Sequence, residues 1–502
     1  MKKYSLILVI LLAVFLSACE EFLSEPPSKT SALVPSTTEH MENLLNSYST
    51  YYKESNNEII FGSDDFGLLP DLFDNNNNVY TMSTAQYATW DVDNVADYSR
   101  PYWPAEWTKI FNANLVLLNV DKVSGDGSDK ANIKAEAHFL RAYSYYILAN
   151  TYCLPYSEQT KGELGLPIKV STSFEESAKR ASLEDTWNLI LSDLEIALEI
   201  KRDLVLVEGK YRTWRASTPA VNAFAARVYL CLGDYPKAKG YAEAALAGHN
   251  AMMDYNTDMR YSEILQEEEV NGELVRLWYP YTFDSQSDHT DKMEWKELYS
   301  YRFLSNGNWN YYPSPELLAL YDQDYDLRYK YHIVENYSYD RSMTISYPGY
   351  IFFYKDLIPS GPTVAEMLLV KAECEARDGD HQTAMNTVNQ LRAKRMDNTA
   401  PADVINLTAS NAAEAVAEIL KERRRELPFS QRYFDVRRFN NNDDPADDVV
   451  MTRNFYPVGA NVIEKSKGVQ TLTLEKNSRR FARPIPNTEI YTTGGVLEQN
   501  TY

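Results

Sequence analysis

The stretch PAVNAFAARVYLCLGDYPKAKGYAEAALAGH, residues 219–249, decides the fold. It contains two runs of helical periodicity joined by Gly233-Asp234-Tyr235. Glycine readily takes the left-handed conformation that ends a helix, and Pro236 has the fixed φ that suits the first turn of the next one. Ala226, Tyr229, Gly233, Tyr235, Ala238 and Ala245 fill the small and large places at which two antiparallel helices interlock. This is the pattern of a tetratricopeptide-like helical hairpin. A second copy, VAEMLLVKAECEARDGDHQTAMNTVNQLRAKR, puts Ala372, Gly379, Asp380, Ala384 and Leu391 in the corresponding places, 146 residues further on. A tandem array would repeat near ~34 residues, so long insertions must separate the pairs.

Two looser pairs complete the scaffold: 38–53 with 104–120, and 131–152 with 183–200. With 216–232/235–247 and 362–378/381–395 they predict a mainly α body of about four hairpins. In AEAHFLRAYSYYILANTYC, Ala135, Phe139, Ala142, Tyr146 and Ala149 mark one continuous helix face whose small residues admit a close neighbour. Between the pairs lie segments of different character, near 54–103, 153–182, 249–361 and 440–502. The third contains 17 of the 38 tyrosines in under a quarter of the chain, which suggests a function for that insertion. Within it, ELVRLWYPYTF has strand character, and SNGNWNYYPSPELL reads as a turn followed by a proline-opened helix.

The chain begins with Lys2, Lys3 and an apolar run from Leu6 to Leu16 that is too short to span a membrane and reads as an export signal over 1–18. The order Leu16-Ser17-Ala18-Cys19 is that of a bacterial lipoprotein signal. Cys19 would carry the lipid, and the polar, proline-containing stretch after it reads as a tether over 19–30, leaving 31–502 as a single body. The formal charge is −21, and −23 without Lys2 and Lys3. Such a surface makes nucleic acid and anionic headgroups poor partners. Cys153, Cys231 and Cys374 lie in or beside helical segments and read as small packing residues rather than a disulfide framework.

Several blocks, taken together and in order, resemble the SusD/RagB family of outer-membrane nutrient-uptake lipoproteins. They are the lipoprotein start with EFLSEPP, WTKIFNANLVLLN, KAEAHFLRAYSYYILANTYCLPY, SPELLALYDQDYDLRYK, the helical pair Val364 to Arg395, EILKERRRELPFSQRYFDVRRF, and ARPIPNTEI. The resemblance implies a non-catalytic, cell-surface, lipid-anchored protein on the outer membrane that captures oligosaccharides. Its partner would be a SusC-like TonB-dependent transporter, whose extracellular mouth it caps like a lid. Glu20 and Glu21, directly behind the lipidated cysteine, fit export to the cell surface. The family's usual asparagine, proline, glycine, tyrosine ending is here Gln499-Asn500-Thr501-Tyr502.

Sugar capture without chemistry needs flat aromatic faces flanked by amides and carboxylates. Trp90 with Asn94, Trp295, and Trp309 with Tyr311 and Tyr312 lie in the irregular insertions and are the candidate ligand residues. Asp64 and Asp65 join them because family members often contribute a polar contact there. Trp103, Trp107, Trp187 and Trp214 are on or beside predicted helices and read as core, and Trp278 as structural. Arg423, Arg424, Arg425, Arg437 and Arg438 alternate with Glu422, Glu426 and Asp435 at helix-neighbour spacings and read as an ion-pair network. Asp322, Asp324 and Asp326 start like a calcium loop but lack its glycine and glutamate, and Asp326 reads instead as a partner of Arg328. No cofactor is expected beyond the lipid on Cys19. Some family members carry calcium, which no spacing here locates.

Two alternatives stand beside glycan capture. Some family members capture peptides, and aromatic platforms serve both ligands. A surface glycoside hydrolase needs only two suitably spaced carboxylates, but the chain has no GxSxG, HExxH or CxxC, and its six histidines lack metal-ligand spacing.

Overall fold

The structure, a computed structural model, describes residues 35–54, 57–76, 78–95, 103–204, 206–207, 210–211, 213–264, 266–270, 272–284, 295–305, 311–337, 346–354 and 356–502. Cys19, the export signal, the tether and Trp309 lie outside the described residues. The scaffold helices are α1 (Thr38–Leu45), α2 (Trp103–Asn119), α3 (Gly127–Tyr152), α4 (Leu183–Ala197), α5 (Thr218–Cys231), α6 (Tyr235–Gly248), α7 (Val364–Arg377), α8 (His381–Arg392), α9 (Ala412–Glu426) and α10 (Arg432–Phe439). The fold is mainly helical. Helix α3 packs on both α2 and α4, α5 pairs with α6, α7 pairs with α8, and α6 lies against α7, joining the two repeat hairpins into one stack. Helix α9 covers α7 and α8. Among the described residues no helix is long and apolar enough to cross a membrane.

The two repeat hairpins turn by the same chemistry. Gly233 (φ 72°) and Gly379 (φ 97°) both close the first helix in the left-handed region. The next residue then caps the second helix: Lys237 N donates to Asp234 at 3.2 Å, and Thr383 N donates to Asp380 at 3.0 Å. Each cap contributes about 1 kcal/mol. Between α5, α6 and α7 the interface sets Ala220, Ala223, Ala226, Ala238, Ala242 and Ala245 of α5 and α6, all fully buried, against Val364, Met367, Val370 and Cys374 of α7. Removing side-chain bulk brings the backbones together, so dispersion is gained over the length of the helices.

Helix α3 is buried without a break from Ala135 to Tyr152, as a helix enclosed on all sides must be. The charged side chains within that buried run are paired. Glu136 accepts from Arg215 and Arg202, while Arg141 and His138 both meet Asp193. The looser first pair is more broken than its spacing predicts. Helix α1 stops at Leu45, a short helix spans Tyr48–Tyr51, and the chain then enters a strand. Cys153, Cys231 and Cys374 are free thiols in or beside helices.

The strands are few and short, among them β1 (Lys53–Glu54), β2 (Gln266–Val270), β3 (Glu273–Leu277), β4 (Phe303–Ser305), β5 (Leu357–Pro359), β6 (Met451–Phe455) and β7 (Gln470–Leu474). The three-stranded sheet β1-β4-β5 ties the N-terminal region to both ends of the 303–359 stretch, with β1 parallel and β5 antiparallel to β4. The hairpin β6–β7 closes over the 57–90 region through Arg453. This buried guanidinium donates to the carbonyls of Phe61, Ser63, Phe66 and Ala88. Burial pulls the Arg453 pKa down to about 10, against the pull of the Asp64 and Glu316 carboxylates.

Candidate functional site

The tyrosine-rich insertion is first of all a core. Tyr255, Trp295, Tyr301, Phe303, Tyr331 and Phe353 form a buried cluster distinct from the alanine interfaces of the hairpins. Trp295 sits in it with Tyr255, Phe352 and Phe353 at 6.1, 4.9 and 5.6 Å between ring centroids. Tyr311 is buried with its hydroxyl donating to Asp356 O at 2.7 Å, and Tyr312 packs edge-on to Tyr80 at 6.2 Å. The expected solvent-facing rings are therefore interior rings at Trp295, Tyr311 and Tyr312. An irregular segment has no repeating backbone ladder to hold it, so bulky flat side chains supply the burial that holds it together.

Trp90 is corrected in the same way. It is 1% exposed and its Nε1 donates to Gly62 O at 2.8 Å. Trp90 follows the short helix Met82–Ala88 with φ 54°, in the place usually taken by glycine. Trp90 N donates to Tyr87 O at 3.2 Å and Asp91 N to Gln86 O at 2.9 Å, the paired bonds of a Schellman cap. The left-handed backbone costs about 1–2 kcal/mol, offset by burial of the indole. Asn94, half-buried, donates to Asp91 at 2.7 Å within the following turn.

Asp64 and Asp65 fasten the N-terminal insertion to the block EILKERRRELPFSQRYFDVRRF. Arg432 forks onto Asp64 at 2.7 and 2.8 Å. Arg424 donates to Asp65 at 2.6 Å, and Phe429 N donates to the other Asp65 oxygen at 2.9 Å. Burial opposes the Asp64 charge, but Arg432 and Arg424 hold its carboxyl well below the usual carboxylate range. Burial pushes Asp65 up, against the pull of Arg424. Both carboxylates are thus committed to arginine.

The expected ion-pair network is present. Arg423 bridges Asp435 (2.8 Å) and Glu366 (3.2 Å), Arg425 meets Glu422 (2.6 Å), and Arg438 joins Glu373 (2.6 Å) to Asp435 (2.9 Å). Arg437 differs, donating to the carbonyls of Phe481 and Cys153. Arg328 pairs with Asp326 at 2.8 Å as expected, and also reaches Glu422 and Glu426. Arg395 connects the insertion to this hub, donating to Glu297 at 2.8 Å and to Glu426 at 2.8 Å. The cavity beside Glu297 and Glu426 is about 20 Å³, lined by Trp295, Tyr350 and Phe352. It has room for one water molecule and not for a sugar ring.

One surface of the insertion has the chemistry of a ligand platform. Trp278, which sequence reasoning assigned to structure, is 49% exposed, the one large aromatic ring of the insertion open to solvent among the described residues. It follows directly on β3, where side chains alternate between the two faces. Leu277 and Tyr279 turn inward, and Leu274, Arg276 and Trp278 turn outward. That alternation is visible in LVRLWYP and could have found the residue. The Arg276 guanidinium lies 3.9 Å from the Trp278 ring centroid, and Tyr261 stands 5.2 Å away, its hydroxyl donating to Lys330 O at 3.1 Å. Exposed Glu267 pairs in register with Arg276 across the ribbon. An indole face, a tyrosine, a guanidinium and a carboxylate thus share one ledge. Trp103 and Trp187 are core residues as expected. Trp214 is half-buried, with its Nε1 donating to Asn46 at 3.0 Å.

A family model described as starch-binding proteins associating with the outer membrane matches residues 21–230, and a SusD family model matches residues 364–502. The chain belongs to the SusD family. SusD-like protein P38 of Formosa agariphila is 23% identical over 416 residues, covering 73% of this chain and 74% of P38. A putative sugar-binding protein from Bacteroides vulgatus superposes with a TM-score of 0.63 at 20% identity, covering 93% of this chain and 99% of that one. A laminarin-binding SusD-like protein superposes at 0.55 with 15% identity, covering 93% and 99%. At these identities the superpositions establish a shared fold.

Proposed function

We propose that this SusD family member is a non-catalytic glycan-capture lipoprotein. Anchored through Cys19 on the cell surface, it hands oligosaccharides to a SusC-like TonB-dependent transporter. The observation that carries the reading is the Trp278 ledge, where an exposed indole is flanked by the charged and hydroxyl groups that sugar hydroxyls bind. Relatives described as starch-, sugar- and laminarin-binding point to the same ligand class. The Glu297 and Glu426 carboxylates share Arg395 beside a cavity of about 20 Å³, which leaves that pair no room for a glycosidic bond. The second reading is peptide capture, which an aromatic ledge also serves.

A screen of neutral oligosaccharides and of peptides separates the two. Retention of a glycan with about tenfold weaker binding by Trp278→Ala is expected, the size of a lost ring contact. Retention of peptides alone, or release of shortened products from a bound glycan, overturns the reading. Equal glycan affinity in Trp278→Ala removes the ledge from it. Mass spectrometry of the native protein tests acylation of Cys19.

A further inference from the structure

A second surface pairs open rings with polar groups, built mainly from residues 107–176. Helix α2 and the loop over residues 169–176 enclose a groove of about 540 Å³, within the size range of small-molecule sites. Phe111 on α2 and Phe174 on the loop stack almost parallel, 6.0 Å apart at 19°. Phe174 is 94% exposed and Phe111 37%, so the stack presents an open face to solvent. Trp107, one helical turn before Phe111, lines the groove and is held edge-on by Trp103 at 5.6 Å and Tyr145 at 5.6 Å.

The loop wall is fixed in advance. Asn114 donates to Lys169 O and Ser171 O, both at 3.0 Å, and Glu176 accepts from Val170 N at 3.2 Å and Ser171 N at 3.4 Å. Lys169 Nζ donates to Glu176 O, and an ammonium group has further N–H bonds to give. Rings for the apolar face of a sugar, an ammonium, a serine hydroxyl and a carboxylate therefore meet in one groove on a pre-organised wall.

We propose that this groove is a second glycan subsite, which stacks a neutral oligosaccharide on Phe111 and Phe174 and hydrogen-bonds its hydroxyls along the polar loop wall. The inference rests on the glycan-capture reading and adds a second contact region to it. Two subsites on one chain raise the overall affinity for a long polymer that reaches both, beyond what either gives alone.

The test uses the full mature chain and an array of neutral oligosaccharides, followed by calorimetric titration of each one retained. Wild type is expected to bind two equivalents of a short retained oligosaccharide. Phe111→Ala/Phe174→Ala is expected to bind one, with the remaining site lost on adding Trp278→Ala. Because Phe174 is almost fully solvated, Phe174→Ala alone leaves the fold intact and is expected to weaken one site about tenfold. Unchanged stoichiometry and affinity in both ring variants, with glycan still bound, overturns the second subsite and leaves glycan capture standing. Absence of any retained glycan overturns both.

Discussion

The hairpin α5–α6 and the insertion over 249–361 are consecutive in the chain and solve the problem of burial in opposite ways. In the hairpin, the backbones hydrogen-bond internally, so α5 and α6 can meet largely through alanines and come into close contact. In the insertion there is little regular backbone to hold the chain, and the interior is filled by rings and by charged groups that must find partners. Helical repeats can thus be packed by small residues at fixed spacing. An irregular face needs large side chains placed one at a time. Function then falls to what is left outside, which on the insertion is the Trp278 ledge.

The largest expected effect breaks the tie between the two regions. Arg395→Ala leaves Glu297 and Glu426 buried without their shared cation, and should cost about 3–5 kcal/mol in chemical denaturation. Loss under 1 kcal/mol would mean that the insertion stands on its rings alone.

Next is acid sensitivity localised to the insertion. His332 is buried between Tyr255 and Ile351 O, with its ring stacked on Phe352, and burial pulls its pKa down to about 3. The unfolded chain takes up that proton first, so the stability His332 contributes is present above its unfolded pKa and is lost as pH falls toward the folded one. Between about pH 6.5 and 4 this amounts to roughly 3 kcal/mol. The comparison of wild type with His332→Gln isolates it: the variant should lose less stability over that window, and parallel curves would refute the assignment.

The smallest effect probes the hairpin. Ala238→Leu overfills the alanine interface and should cost about 1–3 kcal/mol by thermal or chemical unfolding. A neutral result would show that α6 and α7 can move apart.

Much of the scaffold was legible because its signals are local. Gly233-Asp234 and Gly379-Asp380 carry the left-handed turn and the cap in two residues each, and the alanine spacing shows which faces meet. The arginine block was legible for the same reason, since its alternating charges lie within two helices. The rings of the insertion were not. A tryptophan in an irregular segment reads as available to solvent, and nothing local to Trp90 or Trp295 reveals the chain that covers it. Trp90 takes the conformation that glycine would usually occupy, and Trp278 was passed over although strand alternation pointed it outward.

The sequence by itself determined the helical pairs, their turns and the family to which they belong, because those depend on interactions between residues a few positions apart. Which aromatic rings are buried and which stay open, and that Asp64 and Asp65 serve arginines more than 350 residues away, was decided only by the tertiary structure. A side chain's exposure is set by whatever distant segment packs over it, and that information is not carried by the side chain's own neighbours in the chain.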